Sequence, residues 1–149
     1  MSPFRPEKAA IQAGRLMLAK IDELIENSQD FAFETTLATR SYKNFILKAR
    51  NKGYKVTLLF FWLQSSDLAV QRVETRVNEG GHNIPVETIR RRYDNGLKNF
   101  FMIFKQIVDE WLFIDNSGDP YQIVAEGNSI SDTILNKDKW LDLKIKYGK

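Results

Sequence analysis

The run YKVTLLFFWL, residues 54–63, constrains this chain more than any other stretch. From Val56 to Leu63 a single threonine interrupts an otherwise apolar series, with no alternation of wet and dry positions. A strand with one face in water alternates; a strand covered on both faces does not, and such runs belong to the inner strands of parallel α/β sheets. The run is far shorter than the roughly 20 residues of a membrane span. Gly53 before it and Ser65-Ser66 after it bound it as a strand is bounded.

The flanking sequence supplies helices at helical spacing. Residues 6–27 read as a helix, with Pro6 in the first turn and a stripe through Ile11, Leu16, Leu18, Ile21, Leu24 and Ile25. FAFETT, residues 31–36, is aromatic and β-branched, and reads as a short strand ending near Glu34. Helices are expected over 41–52, stopping at Gly53, and over 67–79, stopping at Gly80-Gly81. Pro85 opens a long helix to about 110, which Gly96 can bend. WLFID (111–115) and YQIVAE (121–126) are the remaining strands, and a short helix or two is expected in the tail. Helix alternating with short buried strand gives the expected fold class: α/β, a parallel sheet with flanking helices, in one domain over 1–149. Glu34, Gln64 and Asp115 are expected together at one edge of that sheet.

Composition removes several functions. There is no cysteine and one histidine, which excludes disulfides, thiolate catalysis and Cys-ligated zinc and leaves no His-based metal site. A net charge of +3 is too small to argue for nucleic acid, and the Arg90–Arg92 run with the lysine-rich tail has no reading module around it. The opening MSPFRPEKAA lacks the apolar core of a signal peptide, so a cytoplasmic protein with no membrane segment is expected.

In parallel sheets, ligands bind beyond the carboxyl ends of the strands. Glu34 interrupts an apolar stretch at such an end. A carboxylate there can orient a substrate hydroxyl or hold a Mg²⁺-bound water, or it can simply cap the following turn. Arg90, Arg91 and Arg92 lie about 100° apart on a helix, so they cannot all face one way. They form a solvated face or part of an anion site, and Arg72 and Arg76 on the preceding helix are placed to converge with them. Gly80 and Gly81 between the two helices are expected to act as a lid hinge over 78–84. His82 has no partner in sequence and suits a loop hydrogen bond better than a catalytic base.

Several motifs, in order, resemble those of one family. They are E-T-T at 34–36, G-Y at 53–54, R-V-x-x-R-V-x-x-G-G-H-x-I-P from Arg72 to Pro85, I-x-R-R-Y at 89–93, and D-N-S at 115–117. Together they resemble the zeta-toxin family of P-loop kinases, in its zeta-toxin-like predicted-ATPase branch, over residues 2–126. The resemblance implies a P-loop-kinase-like fold and ATP-dependent phosphoryl transfer, with ATP and Mg²⁺ as cofactors. The family's toxins phosphorylate a hydroxyl of UDP-N-acetylglucosamine and are restrained by an antitoxin. It implies Glu34 as the catalytic residue, Thr35, Thr36 and Arg40 at the substrate, Arg76, Arg91, Arg92 and His82 as lid groups on the ATP phosphates, and Asp115 and Asn116 near the nucleotide.

The family also opens with a strand, a G-x-x-G-x-G-K-(S/T) loop and a strand bearing an acid; no G-K-(S/T) occurs in this sequence. The expectation is therefore an incomplete domain lacking its first βα unit, inactive or fragmentary by itself, with weak or no ATP binding. The alternative is a non-catalytic binding protein that keeps the lid and substrate surface and pairs with a complementary chain or a second copy.

Overall fold

The computed structural model describes residues 6–149, leaving only the first five residues of the MSPFR opening outside the described residues. Six helices and four strands follow in the order α1 (Pro6–Glu26), α2 (Tyr42–Asn51), β1 (Thr57–Trp62), α3 (Ser66–Asn78), α4 (Val86–Asn99), α5 (Lys105–Ile107), β2 (Glu110–Asp115), β3 (Gln122–Asn128), β4 (Asp132–Ile134) and α6 (Lys137–Tyr147). A π-helical turn, Phe100–Phe104, joins α4 to α5. The fold is mixed α/β, a four-stranded sheet flanked by helices, consistent with the P-loop-kinase-like fold that the resemblance implies.

The sheet order is β1-β2-β3-β4. β1 and β2 are parallel, with Leu59 opposite Leu112 and Phe61 opposite Ile114. β2–β3 and β3–β4 are antiparallel, so the sheet is mixed rather than wholly parallel. The reason is loop length. Only residues 116–121 separate β2 from β3, and a parallel crossover takes a dozen or more.

Two strand expectations fail. FAFETT is not a strand; residues 29–36 have no ladder partner. Its aromatics are satisfied instead by packing: Phe31 meets Tyr54 edge-on at 6.2 Å, and Phe33 meets Tyr42 at 5.2 Å. Nor is β1 an inner strand covered on both faces. It is the sheet's edge, with Leu58, Phe60 and Trp62 turned to the core and Leu59 and Phe61 more than half exposed.

The core is aromatic and lies on one face of the sheet. Phe113 sits within 5.1–6.1 Å of Phe60, Trp62, Phe100, Phe101 and Trp140, and Trp111 stacks on Trp140 at 5.3 Å. The π turn bears Phe100, Phe101 and Phe104, all buried. α6 closes this core with Trp140, Leu143 and Tyr147. Among the described side chains α1 packs through its C-terminal half: Ile21 and Ile25 are buried against α2, while Ile11 and Leu16 of the expected stripe are exposed.

Candidate functional site

α3 and α4 are placed by polar ties before any ligand is considered. Ser65 caps α3, accepting from the Leu68 amide at 3.1 Å. The helix ends in a Schellman motif: the Gly80 amide donates to Val77 O and the Gly81 amide to Arg76 O at 2.7 Å. Gly80 has φ +96°, and a Cβ on Gly81 would lie 2.6 Å from Arg76 O, so both positions need glycine to stop the helix there. Arg90 then clamps α4 to the start of α3, donating to Ser66 Oγ at 2.8 Å and pairing with Asp67 at 2.6 Å. Tyr93 anchors α4 to the end of β1, with its hydroxyl donating to Leu63 O at 2.6 Å and accepting from Trp62 Nε1 at 3.1 Å. Burial raises the Tyr93 pKa above its ordinary value, the Trp62 contact acting against it, so the phenol stays a donor.

These ties open a cleft of about 630 Å³ between α3, α4 and the outer side of β1. Its walls are apolar, with Phe60, Phe61, Val73, Ile84 and Ile89, and its polar lining includes Arg72, Arg76, Arg92 and Thr36. Arg72 is occupied, donating to Asn116 O at 2.5 Å. Arg76 and Arg92 are exposed, and among the described residues neither has a carboxylate within salt-bridge distance. Two free guanidiniums at the rim of an apolar cleft are suited to an anion, since the planar fork matches phosphate oxygens bidentately.

The remaining sequence candidates are spread out. Arg91 is exposed and does not line the cleft, because its neighbours on the helix take the cleft and α3. His82 is exposed in the loop before Pro85, with no hydrogen bond to another described residue. Glu34 and Arg40 are exposed, and no side-chain contact ties either to the cleft. Thr35 is used locally: its hydroxyl accepts from the Leu37 amide at 3.2 Å. Thr36 alone of the E-T-T motif lines the cleft.

Gln64 and Asp115 do meet at the carboxyl end of β1 and β2. Asp115 is buried, and its Oδ2 accepts from Gln64 Nε2 at 3.0 Å and Lys139 Nζ at 2.7 Å. Its Oδ1 accepts from the Ser117 amide at 3.0 Å. Burial works against the charged form, but the bonds from Gln64, Lys139 and Ser117 outweigh it and hold the carboxyl well below the usual carboxylate range. Asn116 continues the anchoring: its amide donates to Trp62 O at 2.8 Å.

The sequence reading missed two residues. Lys139 sits in a tail whose sequence offers no motif, and only the fold shows that it reaches Asp115. Asn99 is buried, and its Nδ2 donates to Leu37 O at 2.9 Å. An asparagine among Leu97, Phe100 and Phe101 on an apolar helix face was the available signal, since a buried amide needs a partner.

The guanidiniums of Arg76 and Arg92 are of the type that suits a phosphate, and among the described residues no group of acids suits a Mg²⁺ ion. Asp115 has three hydrogen bonds, one of them from the Lys139 ammonium, Glu34 is exposed, and no cluster of three or more acidic or histidine side chains occurs among the described residues. No helix among the described residues is long and apolar enough to cross a membrane.

Residues 6–123 match the family described as Zeta toxin. A protein of Haemophilus influenzae described as uncharacterized is 28% identical over 93 residues, covering 62% of this chain. The aligned part spans 66% of that relative, just under two-thirds of its length. No solved structure matches.

Proposed function

The chain belongs to the zeta toxin family, and from that premise we propose that the α3–α4 cleft binds the phosphates of a nucleotide, as the phosphate-gripping part of an ATP-dependent kinase acting on a hydroxyl of a small substrate. The observation that carries the reading is that Arg76 and Arg92 line one cleft from two helices with no carboxylate partner among the described residues. When ATP is bound it supplies the phosphoryl group; the chain's own contribution is charge. Guanidiniums fixed beside the phosphates offset the negative charge that spreads over a transferring phosphoryl group. Glu34, Thr35, Thr36 and Arg40 form the substrate side of this reading, with Glu34 orienting the acceptor hydroxyl and Thr36 nearest the phosphates. A nucleotide sugar is the substrate class that the family favours. Arg91 and His82 are left outside the clamp.

The sequence contains no G-K-(S/T), so phosphate affinity in this chain rests on the two arginines. Each charge-assisted contact is worth about 1.5–3 kcal/mol, and a total near 4 kcal/mol corresponds to a Kd of about 1 mM. The expectation is weak binding of tripolyphosphate and of Mg-ATP. The test follows the arginine Nε–H resonances during titration with tripolyphosphate. Arg76 and Arg92 should shift together, and Arg76→Ala with Arg92→Ala should abolish the response while Arg91→Ala leaves it. Shifts that persist in the double variant would place the anion elsewhere and sink the reading.

A further inference from the structure

We infer that Asn99 is a positioning residue: it holds the Glu34–Leu37 turn against α4, so that the turn and Arg92 belong to one rigid body. The inference rests on the phosphate reading of the cleft and adds to it how the substrate side is kept in place.

The segment from 30 to 39 is held by side-chain packing at Phe31, Phe33 and Leu37, and by few hydrogen bonds. It lies in no helix or strand, and its backbone makes no backbone–backbone hydrogen bond with another described element. Among the described residues its only tertiary hydrogen bond comes from Asn99 Nδ2 to Leu37 O, at 2.9 Å. Leu37 also sits at φ +59°, a left-handed conformation that a leucine adopts only when its surroundings impose it, and its side chain is buried in the core. Two features fix the turn from either side of that strained residue. The Thr35 hydroxyl accepts from the Leu37 amide, and Thr36 O lies so close over Gly96 that a Cβ there would be 2.5 Å from it.

Arg92, Gly96 and Asn99 recur at i, i+4 and i+7, one face of α4. That single face therefore presents, in order, a phosphate ligand, a bare backbone on which the turn rests, and the amide that holds the turn down. Thr36, Gly96 and Arg92 line the same cleft. Tyr93 and Arg90 tie the same helix to β1 and α3, and Asn99 and Gly96 tie it to the turn, so α4 does not swing as a lid independently of the turn. Any closure over phosphate belongs to the Arg76 and Arg92 side chains and the 79–85 loop.

Asn99→Leu keeps the volume and removes the donor. In the full ¹⁵N-labelled chain, exchange of the Leu37 amide should quicken about tenfold, the size of one net hydrogen bond. Shifts should be confined to 34–37, while amides around Phe113 and the tripolyphosphate shifts of Arg76 and Arg92 stay as in the parent. Unchanged Leu37 exchange, or faster exchange spread evenly through the core, would overturn the inference; the second result would make Asn99 an ordinary packing residue. Should Asn99→Leu fail to fold, Gly96→Ala takes its place, pushing Thr36 O away with Asn99 intact, and the same local signature is expected. If neither variant folds, the 96–99 face is core and the inference is wrong. The Arg76/Arg92 double variant judges the phosphate reading separately, because its readout does not pass through Leu37.

Discussion

Replacing Lys139 by methionine removes the ammonium that pairs with buried Asp115. The bond is 2.7 Å, Asp115 keeps 4% of its side-chain exposure and Lys139 keeps 29%. A hydrogen bond to a charged group is worth about 1.5–3 kcal/mol, and partial access of water to Lys139 puts the loss in the lower half, about 2 kcal/mol. For a chain of this size that lowers Tm by about 4–8 °C. Urea unfolding followed by tryptophan fluorescence suits the measurement, because Trp111 and Trp140 stack in the core and separate on unfolding. The pH dependence gives a second check. The folded carboxyl lies below its unfolded value of about 3.9, so its contribution is complete above that value and is lost as pH falls through the folded one. Losing Lys139 raises the folded value. The deficit of Lys139→Met should therefore be full at pH 7, narrow as pH falls through the variant's raised carboxyl pKa, and close only below the parent's. Lys139→Arg should recover most of it. A variant as stable as the parent at pH 7, or a deficit that persists unchanged into strong acid, would refute the reasoning.

Glu26 accepts from Lys48 and Lys52, which lower its pKa from 4.5 to about 2 and bind the end of α1 to α2. That tie should hold above about pH 4.5 and weaken between there and about 2, seen as faster amide exchange in α1 before the core unfolds. Trp140→Ala empties the stacking partner of Trp111 and should cost about 3–5 kcal/mol in urea unfolding. Gly81→Ala forces a methyl toward Arg76 O and should cost about 1 kcal/mol or more, with faster exchange at the end of α3. An unaffected α3 end would mean the Schellman stop is not what fixes Arg76.

Sequence alone located most elements, because apolar spacing and caps are local. α3 was expected over 67–79 and is Ser66–Asn78; β2 was expected over 111–115 and is Glu110–Asp115. What it misjudged was pairing. FAFETT has strand composition, but a strand exists only where another strand meets its amides and carbonyls, and aromatic contacts with Tyr42 and Tyr54 occupy those residues instead. The sense of β3 was legible in the six-residue span of 116–121, had its length been weighed against a crossover. The edge position of β1 was not, since VTLLFFWL reads the same whether or not Leu59 and Phe61 are covered. The π turn that gathers Phe100, Phe101 and Phe104 has no sequence mark either. At the site, motif order brought out the E-T-T turn and the arginines together, but not which guanidiniums are free.

That division among the arginines is what makes the cleft informative. Arg72 and Arg90 are consumed by architecture: Arg90, on Asp67 and Ser66, sets how α4 lies on α3, and Arg72, on Asn116 O, ties α3 to the end of β2. The same crossing brings Arg76 and Arg92 to one cleft, where two like charges repel and stability gains nothing. Acids were at hand on both helices, Glu74 on α3 and Glu87 on α4, yet neither pairs with these two. An open pair suits the phosphate binding proposed above, in which the anchored face of α4 would keep Arg92 and the Glu34–Leu37 turn in register.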